Sequence, residues 1–442
     1  MPPSAPTTVD ASEAHARALD ARDPLRSFRE KFAIPDVGAI AAAVGGGTAP
    51  PGGETVYLTG NSLGAMPRDA PRLMQQELED WARLGVEGHL HGRDPWLPYH
   101  EQFRAPLARL CGALEREVVA MNSLTVNLHL LMASFYRPTR ERFKIVIEDT
   151  AFPSDSYAVA SQAAWHARHA GFDASRAIVR LAPREGEGTL RTEDIVAAIE
   201  REGPSIALVM LGAVNYLTGQ WFDIEAVTRA GHDAGAIVGW DLAHAMGNVP
   251  MRLHDIGADF AAWCSYKYLN AGPGAVAGAF VHERHLSEPV PQFAGWWGND
   301  PATRFRMGPE FSPVARADRW ALSNPPIFSL TPLKASLALF DEARIDRLRE
   351  KSLALTGYME TLLRSMAPSV RVLTPTEPAQ RGCQLSLVLP GDARPAHAAL
   401  LRRGIVTDFR EPHVIRAAPV PLYNSFHDVH RFVSALREVT AS

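Results

Sequence analysis

The sequence WDLAHAMGN at residues 240–248 and the sequence ADFAAWCSYK at residues 258–267 decide the fold of this chain. In each of them a short apolar run leads to a reactive side chain, Asp241 in the first and Lys267 in the second. Short apolar runs of this kind predict strands buried in a parallel sheet. Because ligands of such sheets bind at the carboxyl ends of the strands, we expect Asp241 and Lys267 to face one site from neighbouring strands.

A lysine and a carboxylate at one sheet edge are the two groups that pyridoxal phosphate requires. The amine binds the cofactor as a Schiff base, and the carboxylate keeps the pyridine nitrogen protonated so that the ring accepts electrons. A buried Lys267–Asp241 ion pair, or a surface lysine after a strand, is the alternative, because ion pairs are common in proteins. These two residues alone leave both interpretations open.

The composition predicts a globular protein of more than one domain. The chain has 442 residues, 46% of them hydrophobic, which exceeds one ordinary core. Its 45 basic and 49 acidic residues give a formal charge of -4, and this balance favours neither nucleic acid nor an anionic membrane as a partner.

No apolar run approaches the roughly 20 residues that span a bilayer. The first residues lack the apolar segment of a secretory signal, so we expect a cytoplasmic protein.

The sequence predicts no metal site and no nicotinamide site. The cysteines Cys111, Cys264 and Cys383 lie far apart and are odd in number, which indicates reduced thiols. The segment 282–285 reads HERH and lacks the H-E-x-x-H spacing of zinc proteases. The glycines of segment 272–278 do not have the spacing of the dinucleotide fingerprint.

Strand and helix patterns alternate through the middle of the chain. The predicted strands are 144–148, 177–181, 206–211 and 236–240, and the predicted helices are 155–170, 192–202 and 224–234. This alternation predicts an α/β fold, a mostly parallel sheet covered by helices on both faces. An amphipathic pattern predicts a long helical region from about 333 to 366. Short strands near 384–389, 405–409 and 414–417, with helices between and after them, predict a smaller α+β domain. We expect an N-terminal arm at 1–54 with a glycine- and proline-rich turn at 45–53, a large domain at 55–330, and a small domain at 331–442 to which N-terminal residues can contribute.

Two local motifs have competing interpretations. Gly60-Asn61-Ser62-Leu63-Gly64 formally matches the nucleophile elbow of serine hydrolases, but only one plausible strand precedes it, so we disfavour a Ser62 nucleophile. The segment 122–127 predicts a helix start with free backbone N–H groups, which is either an anion site or a simple N-cap.

The chain resembles the kynureninase family. The resemblance is carried by the motifs DLAHA (241–245), WCSYKYLN (263–270), GNSLG (60–64), LTVNLH (124–129), FPSD (152–155), TGQ (218–220), SNPP (323–326) and APVPLYNSFHD (418–428). These motifs cover the chain from about Val56 to Phe432. The resemblance implies the pyridoxal-phosphate fold type I, hydrolysis in tryptophan catabolism and NAD biosynthesis, and a homodimer with shared active sites.

The resemblance also implies a role for each of these motifs. It makes Lys267 the residue that binds the cofactor and Asp241 the partner of its ring nitrogen, with Tyr266 as a proton relay or a phosphate ligand. The other implied cofactor residues are Leu124, Thr125, Phe152, Pro153, Ser154, Asp155, Gly212, His244 and, from the partner subunit, Trp296 and Asn324. The implied substrate residues are Ser62, His89 and Asn324 at the aromatic end and Arg416 at the α-carboxylate.

The implied reaction cleaves the Cβ–Cγ bond of L-kynurenine or 3-hydroxy-L-kynurenine into L-alanine and an anthranilate. Some positions depart from the family pattern: Gly212 stands where a serine often contacts phosphate, and Leu217, Trp240 and Ile256 replace aromatic residues. A cysteine desulfurase or aminotransferase of the same fold is one rival, and an inactive, cofactor-free scaffold is another.

Overall fold

A computed structural model describes residues 10–44 and 52–441 of the chain. The predicted turn at 45–53 lies mostly outside these residues. The strands are β1 (Phe32–Ala33), β2 (Val56–Tyr57), β3 (Met66–Pro67), β4 (Val118–Ala120), β5 (Lys144–Glu148), β6 (Ile178–Leu181), β7 (Ile206–Gly212), β8 (Ile237–Asp241), β9 (Phe260–Trp263), β10 (Gly278–Val281), β11 (Arg371–Val372), β12 (Leu385–Val388), β13 (Ile405–Val406), β14 (Asp408–Arg410) and β15 (Val414–Ala417).

Helices cover both faces of the sheet and build the C-terminal part. They are α1 (Glu13–Arg22), α2 (Val37–Ala43), α3 (Ala70–Leu84), α4 (Gly88–His91), α5 (Arg104–Cys111), α6 (Leu124–Phe135), α7 (Pro153–Ala170), α8 (Thr192–Glu202), α9 (Ile224–Asp233), α10 (Leu253–Ile256), α11 (Pro301–Arg304), α12 (Ile327–Ala343), α13 (Ile345–Met366), α14 (Arg394–Arg402) and α15 (Phe426–Ala441). None of the described helices is both long enough and apolar enough to cross a membrane.

Within the described chain, seven strands form the central sheet in the order β4-β10-β9-β8-β7-β5-β6. The pairs from β6 to β9 are parallel, and β10 is antiparallel to both of its neighbours. The predicted α/β fold with a mostly parallel sheet is therefore confirmed. Strands β4 and β10 were not predicted, because their short apolar runs lack the alternating helices that mark the parallel strands.

The apolar strands of this sheet supply two cores, one on each face. In β7, Val209 and Leu211 belong to one buried cluster, whereas Leu208 and Met210 belong to the other. Alternate residues of a strand point to opposite faces, so an uninterrupted apolar run is what a sheet covered on both sides requires.

The C-terminal part contains the antiparallel sheet β11-β12-β15-β14 and the helices α13 to α15. The N-terminal helix α1 packs on α15, and the Asp20 carboxylate accepts hydrogen bonds from the Phe426 and His427 backbone N–H groups. Ala16 of α1 lies in the same buried cluster as residues of this C-terminal part. The division at residues 54 and 330 stays a prediction.

Candidate active site

Asp241 and Lys267 line one cavity at the carboxyl edge of the sheet. Asp241 is the last residue of β8, which pairs in parallel with β9, and Lys267 follows β9 by four residues. Both side chains line a cavity of ≈ 170 Å³. The prediction that the two strands are neighbours is confirmed.

A direct contact joins Lys267 to His244. The Lys267 Nζ lies 3.1 Å from His244 Nε2 and 5.7 Å from the centre of the Phe152 ring. Burial, followed by the positive charges of Lys267, Arg416 and Arg410, holds the pKa of His244 well below its usual range. His244 is therefore neutral at physiological pH, and its Nε2 can accept a hydrogen bond from the lysine.

Two buried carboxyl groups, those of Asp241 and Asp155, line the same cavity. Asp241 accepts a hydrogen bond from the Ala243 N–H at 2.7 Å. Burial and the neighbouring Asp241 carboxylate raise the pKa of Asp155 well above its usual range, because two like charges in one dry site repel each other. Asp155 therefore keeps its proton and hydrogen-bonds to Asp241.

Glu148, which the sequence analysis missed, adds a third carboxyl group to this cavity. It ends β5, as Asp241 ends β8, and it is almost fully buried. Its carboxyl accepts the Gly212 N–H at 3.2 Å, and burial raises the pKa of Glu148 to about 7. An acidic residue at the end of an otherwise apolar strand was the signal available in the sequence.

Gly212 lies on the carboxylate side of the cavity. It pairs with Asp241 across β7 and β8, and a side-chain Cβ at this position would come within 3.1 Å of Glu148 Oε1. The glycine thus leaves room for the Glu148 carboxyl. The effect of the missing serine on phosphate binding stays a prediction.

The start of α6 faces the cavity with Ser123, Leu124 and Thr125. The Ser123 side chain does not cap the helix, and Thr125 Oγ1 lies 2.7 Å from Ser154 Oγ of α7. Two helix starts with adjacent hydroxyl groups therefore meet here. Backbone N–H groups at a helix N-terminus favour an anion such as phosphate.

The site fits pyridoxal phosphate in its chemistry. A lysine, two neighbouring carboxyl groups and a helix start would supply groups for the aldehyde, the ring nitrogen and the phosphate, respectively. One buried atom of a residue that lines the cavity, His244 Nδ1, finds no hydrogen-bond partner among the described residues. A polar ligand in the cavity would supply partners that buried polar atoms normally have.

The structure brings most of the predicted cofactor residues together. The ones that line the cavity are Leu124, Thr125, Phe152, Ser154, Asp155, Gly212, Asp241, His244, Tyr266 and Lys267. Pro153 does not line it and instead begins α7. The pKa of Tyr266 is raised, mainly by burial, so this phenol stays a hydrogen-bond donor.

Asn324 and Trp296 lie outside this cavity. Asn324 lines a second cavity, of ≈ 590 Å³, which shares Ser123 and Tyr266 with the first. Trp296 lines neither cavity, is 40% exposed, and stacks edge-on against the exposed Phe305.

The predicted substrate residues also stand outside the first cavity. Arg416 is connected to it through Tyr216, which lines the cavity and whose backbone carbonyl accepts Arg416 Nη1 at 2.7 Å. His89 packs edge-on against Trp96, with 5.4 Å between ring centres. Ser62 is exposed in a turn that leads to β3 and not to a helix, so the nucleophile-elbow interpretation is rejected.

The match to a family model and the similarity to known sequences identify the same family. Residues 348–436 match the family model of the kynureninase C-terminal domain. The kynureninase of Myxococcus xanthus is 57% identical over 98% of this chain and 98% of its own length. The kynureninase of Salinispora tropica is 53% identical, with 96% of both chains covered.

Solved structures of lower identity share the fold. The cysteine desulfurase CsdA of Escherichia coli has a TM-score of 0.72 at 18% identity, covering 94% of this chain and 98% of its own. A C-DES variant with glycine covalently linked to its PLP cofactor has a TM-score of 0.69 at 17% identity, covering 87% of this chain and 96% of its own.

Proposed function

The chain belongs to the kynureninase family, and we propose that it cleaves the Cβ–Cγ bond of L-kynurenine or 3-hydroxy-L-kynurenine with pyridoxal phosphate as its cofactor. One water is consumed, and the products are L-alanine and anthranilate or 3-hydroxyanthranilate. The observation that carries this proposal is the single cavity lined by Lys267, His244 and Asp241. Such a reaction belongs to tryptophan catabolism and can feed NAD biosynthesis.

The residues of the cavity would hold the cofactor as follows. Lys267 would bind the aldehyde carbon, and Asp241 would face the ring nitrogen. Leu124, Thr125 and the Tyr266 hydroxyl would hold the phosphate. When bound, pyridoxal phosphate supplies an electron sink that stabilises negative charge on the substrate Cα.

Side chains of the protein itself would accept and hold protons next to the bound cofactor. Lys267 Nζ would take the substrate Cα proton, and the neutral His244 Nε2 at 3.1 Å lies within reach of that nitrogen. The proton on Asp155 reduces the repulsion that a second ionised carboxyl would exert on Asp241.

The substrate would extend from Arg416 towards the aromatic-end residues. A planar guanidinium binds a carboxylate through two parallel hydrogen bonds, which suits Arg416 to the α-carboxylate. Ser62, His89 and Asn324 would approach the aniline ring. His89 already packs against an aromatic ring, that of Trp96, at a half-buried position.

We further propose a homodimer in which the partner subunit supplies Trp296 and Asn324. Support comes from exposed apolar side chains in that region, with Phe293 62%, Phe305 57% and Met307 75% exposed. Exposed apolar patches often mark protein interfaces. The three free cysteines support a reducing compartment such as the cytoplasm.

The rival desulfurase activity is disfavoured by these cysteines. Sulfur transfer onto a thiol of the protein itself would need an accessible cysteine. Cys111, Cys264 and Cys383 are all buried, and burial raises the pKa of each thiol. A buried, protonated thiol is a poor nucleophile.

The proposed function is tested on the purified protein with bound cofactor. We expect a visible absorption band that borohydride removes and anthranilate fluorescence that rises when L-kynurenine is added. Lys267→Ala should lack both signals. A wild-type protein without the band would instead support the cofactor-free scaffold.

Substrate preference has a test of its own. We expect polar His89 and Asn324 to let the protein use 3-hydroxykynurenine well. The ratio of kcat/KM for the hydroxylated and plain substrates should fall in His89→Phe. An unchanged ratio would remove His89 from the substrate site.

A further inference from the structure

Arg416 is buried beside a carboxylate of its own domain. Its side chain is 1% exposed, and its Nε donates to Asp408 Oδ1 at 2.9 Å. Its Nη2 lies 2.8 Å from the same oxygen, and its Nη1 donates to the Tyr216 carbonyl at 2.7 Å. Each terminal nitrogen keeps at least one further N–H, which a substrate carboxylate could accept.

A second guanidinium, that of Arg410, shares the same carboxylate. Arg410 Nε lies 3.1 Å from Asp408 Oδ1, and its Nη2 donates to Oδ2 at 3.3 Å. Asp408 is opposite Arg416 in the β14–β15 pair, and Arg410 follows Asp408 by two residues. All three side chains therefore project from one face of this sheet.

Tyr216 connects this group to the cofactor cavity. The guanidinium carbons of Arg410 and Arg416 lie 5.9 Å and 5.8 Å from the centre of its ring. The same ring packs edge-on against Phe152, 5.2 Å away, and Tyr216 lines the cavity. The positive charges of both arginines also act on His244 in that cavity.

The charges of this group do not cancel. Two guanidinium groups face the single carboxylate Asp408, whose side chain is only 12% exposed. One positive charge is left beside a cavity that already contains Lys267. This charge is only partly removed from water, because the Arg410 side chain is 37% exposed and that of Arg416 is 1% exposed, and an incoming carboxylate would neutralise it.

We propose that Arg410 is a second determinant of substrate-carboxylate recognition, sharing Asp408 with Arg416 so that the pair of arginines carries one free positive charge for the α-carboxylate. This inference rests on the proposed function, because it assigns the α-carboxylate to Arg416. Arg410 tightens binding of amino acids over amines. Arg410 has no role in the bond-cleaving step, which depends on the residues around Lys267.

The test compares L-alanine with ethylamine, which is alanine without its carboxylate. Their dissociation constants are measured on the holoenzyme from changes in its visible absorption band. Arg410→Gln should lower the preference for alanine about tenfold, since one charge contact is lost. It should also raise KM for L-kynurenine about tenfold and leave kcat within about twofold.

Further variants separate charge from packing. Arg410→Met keeps the apolar stem over Tyr216 and should behave like Arg410→Gln, whereas Arg410→Lys should restore most of the preference. Arg394→Gln is the matched control, because Arg394 lies over Phe409 at 5.8 Å and pairs with Glu411 away from the cavity. It should match the wild type.

Two results would overturn the inference. One is an alanine preference in Arg410→Gln equal to that of the wild type. The other is an equal loss in Arg394→Gln. Failure of the proposed function looks different, because the wild type itself would then make no anthranilate from L-kynurenine.

Discussion

Three carboxyl groups that line one cavity, those of Glu148, Asp155 and Asp241, are the central feature at the scale of single residues. Asp241 was predicted because it follows a buried strand, and Lys267 because it follows the next one. Glu148 occupies the equivalent place on β5 but was missed, since a charged residue at a strand end is often only a surface residue. Its burial and its bond to Gly212 depend on the packing of β5 against β7, which local sequence does not reveal.

The raised pKa of Glu148, about 7, makes folding stability depend on pH. In the unfolded chain a glutamate releases its proton near pH 4.3, so above about this pH the unfolded state binds fewer protons than the folded state. The free energy of unfolding should therefore fall as pH rises from about 4 to 7. The total loss from this group is at most about 4 kcal/mol.

Glu148→Gln removes this titration and keeps an acceptor for the Gly212 N–H. Urea unfolding of the cofactor-free protein should show a smaller loss of stability between about pH 5 and 7 than in the wild type. The exposed Glu193→Gln serves as the control and should follow the wild type. Identical pH profiles for wild type and Glu148→Gln would show that Glu148 titrates normally.

At the scale of elements, the turn 60–64 is important because it packs on the segment that contains Lys267. The Gly64 N–H donates to the Tyr266 carbonyl at 2.8 Å. A Cβ on Gly64 would lie 2.4 Å from the Lys267 carbonyl oxygen and 2.7 Å from the Asn270 Cα. Both are backbone atoms, so the two segments would have to separate.

Gly64→Ala should therefore impair both stability and catalysis. Overpacking of this kind costs about 1–3 kcal/mol, and the displaced Lys267 should lower kcat/KM for L-kynurenine at least about tenfold. Gly308→Ala is the control, because no atom lies within 4 Å of a Cβ there. Equal activity of the two variants would mean that the turn does not position Lys267.

Sequence patterns located most of the elements of the large domain. β5 and α8 have the predicted bounds, because regular apolar periodicity marks them. The predicted helical region from about 333 to 366 is instead two helices, since Arg344 between α12 and α13 has a φ of 66°. A single residue with positive φ in a charged segment leaves no clear sequence signal.

At the scale of the whole molecule, the proposed homodimer would complete the active site. Within one chain, Trp296 and Asn324 lie outside the cavity of Lys267, and apolar side chains around Trp296 are exposed. The family resemblance implied this sharing, whereas no pattern in the sequence distinguishes an interface aromatic residue from a buried one.

Mixing two inactive variants tests shared sites. Lys267→Ala and Asn324→Ala should each be inactive or weakly active alone. If subunits exchange at random, half of the dimers are mixed, and each mixed dimer has one intact site. About a quarter of the wild-type activity should then return. No recovery, although mass measurements show mixed dimers, would place Asn324 and Lys267 in the same subunit's site.

The most direct test of the account follows all products at once. The holoenzyme is given L-kynurenine and, separately, L-cysteine with a dithiol reductant, and anthranilate, alanine and sulfide are measured. We expect anthranilate and alanine in a one-to-one ratio from L-kynurenine, none of either from Lys267→Ala, and no catalysed sulfide release from L-cysteine. Sulfide and alanine from L-cysteine, without anthranilate from L-kynurenine, would contradict the assignment and make the protein a desulfurase of the same fold.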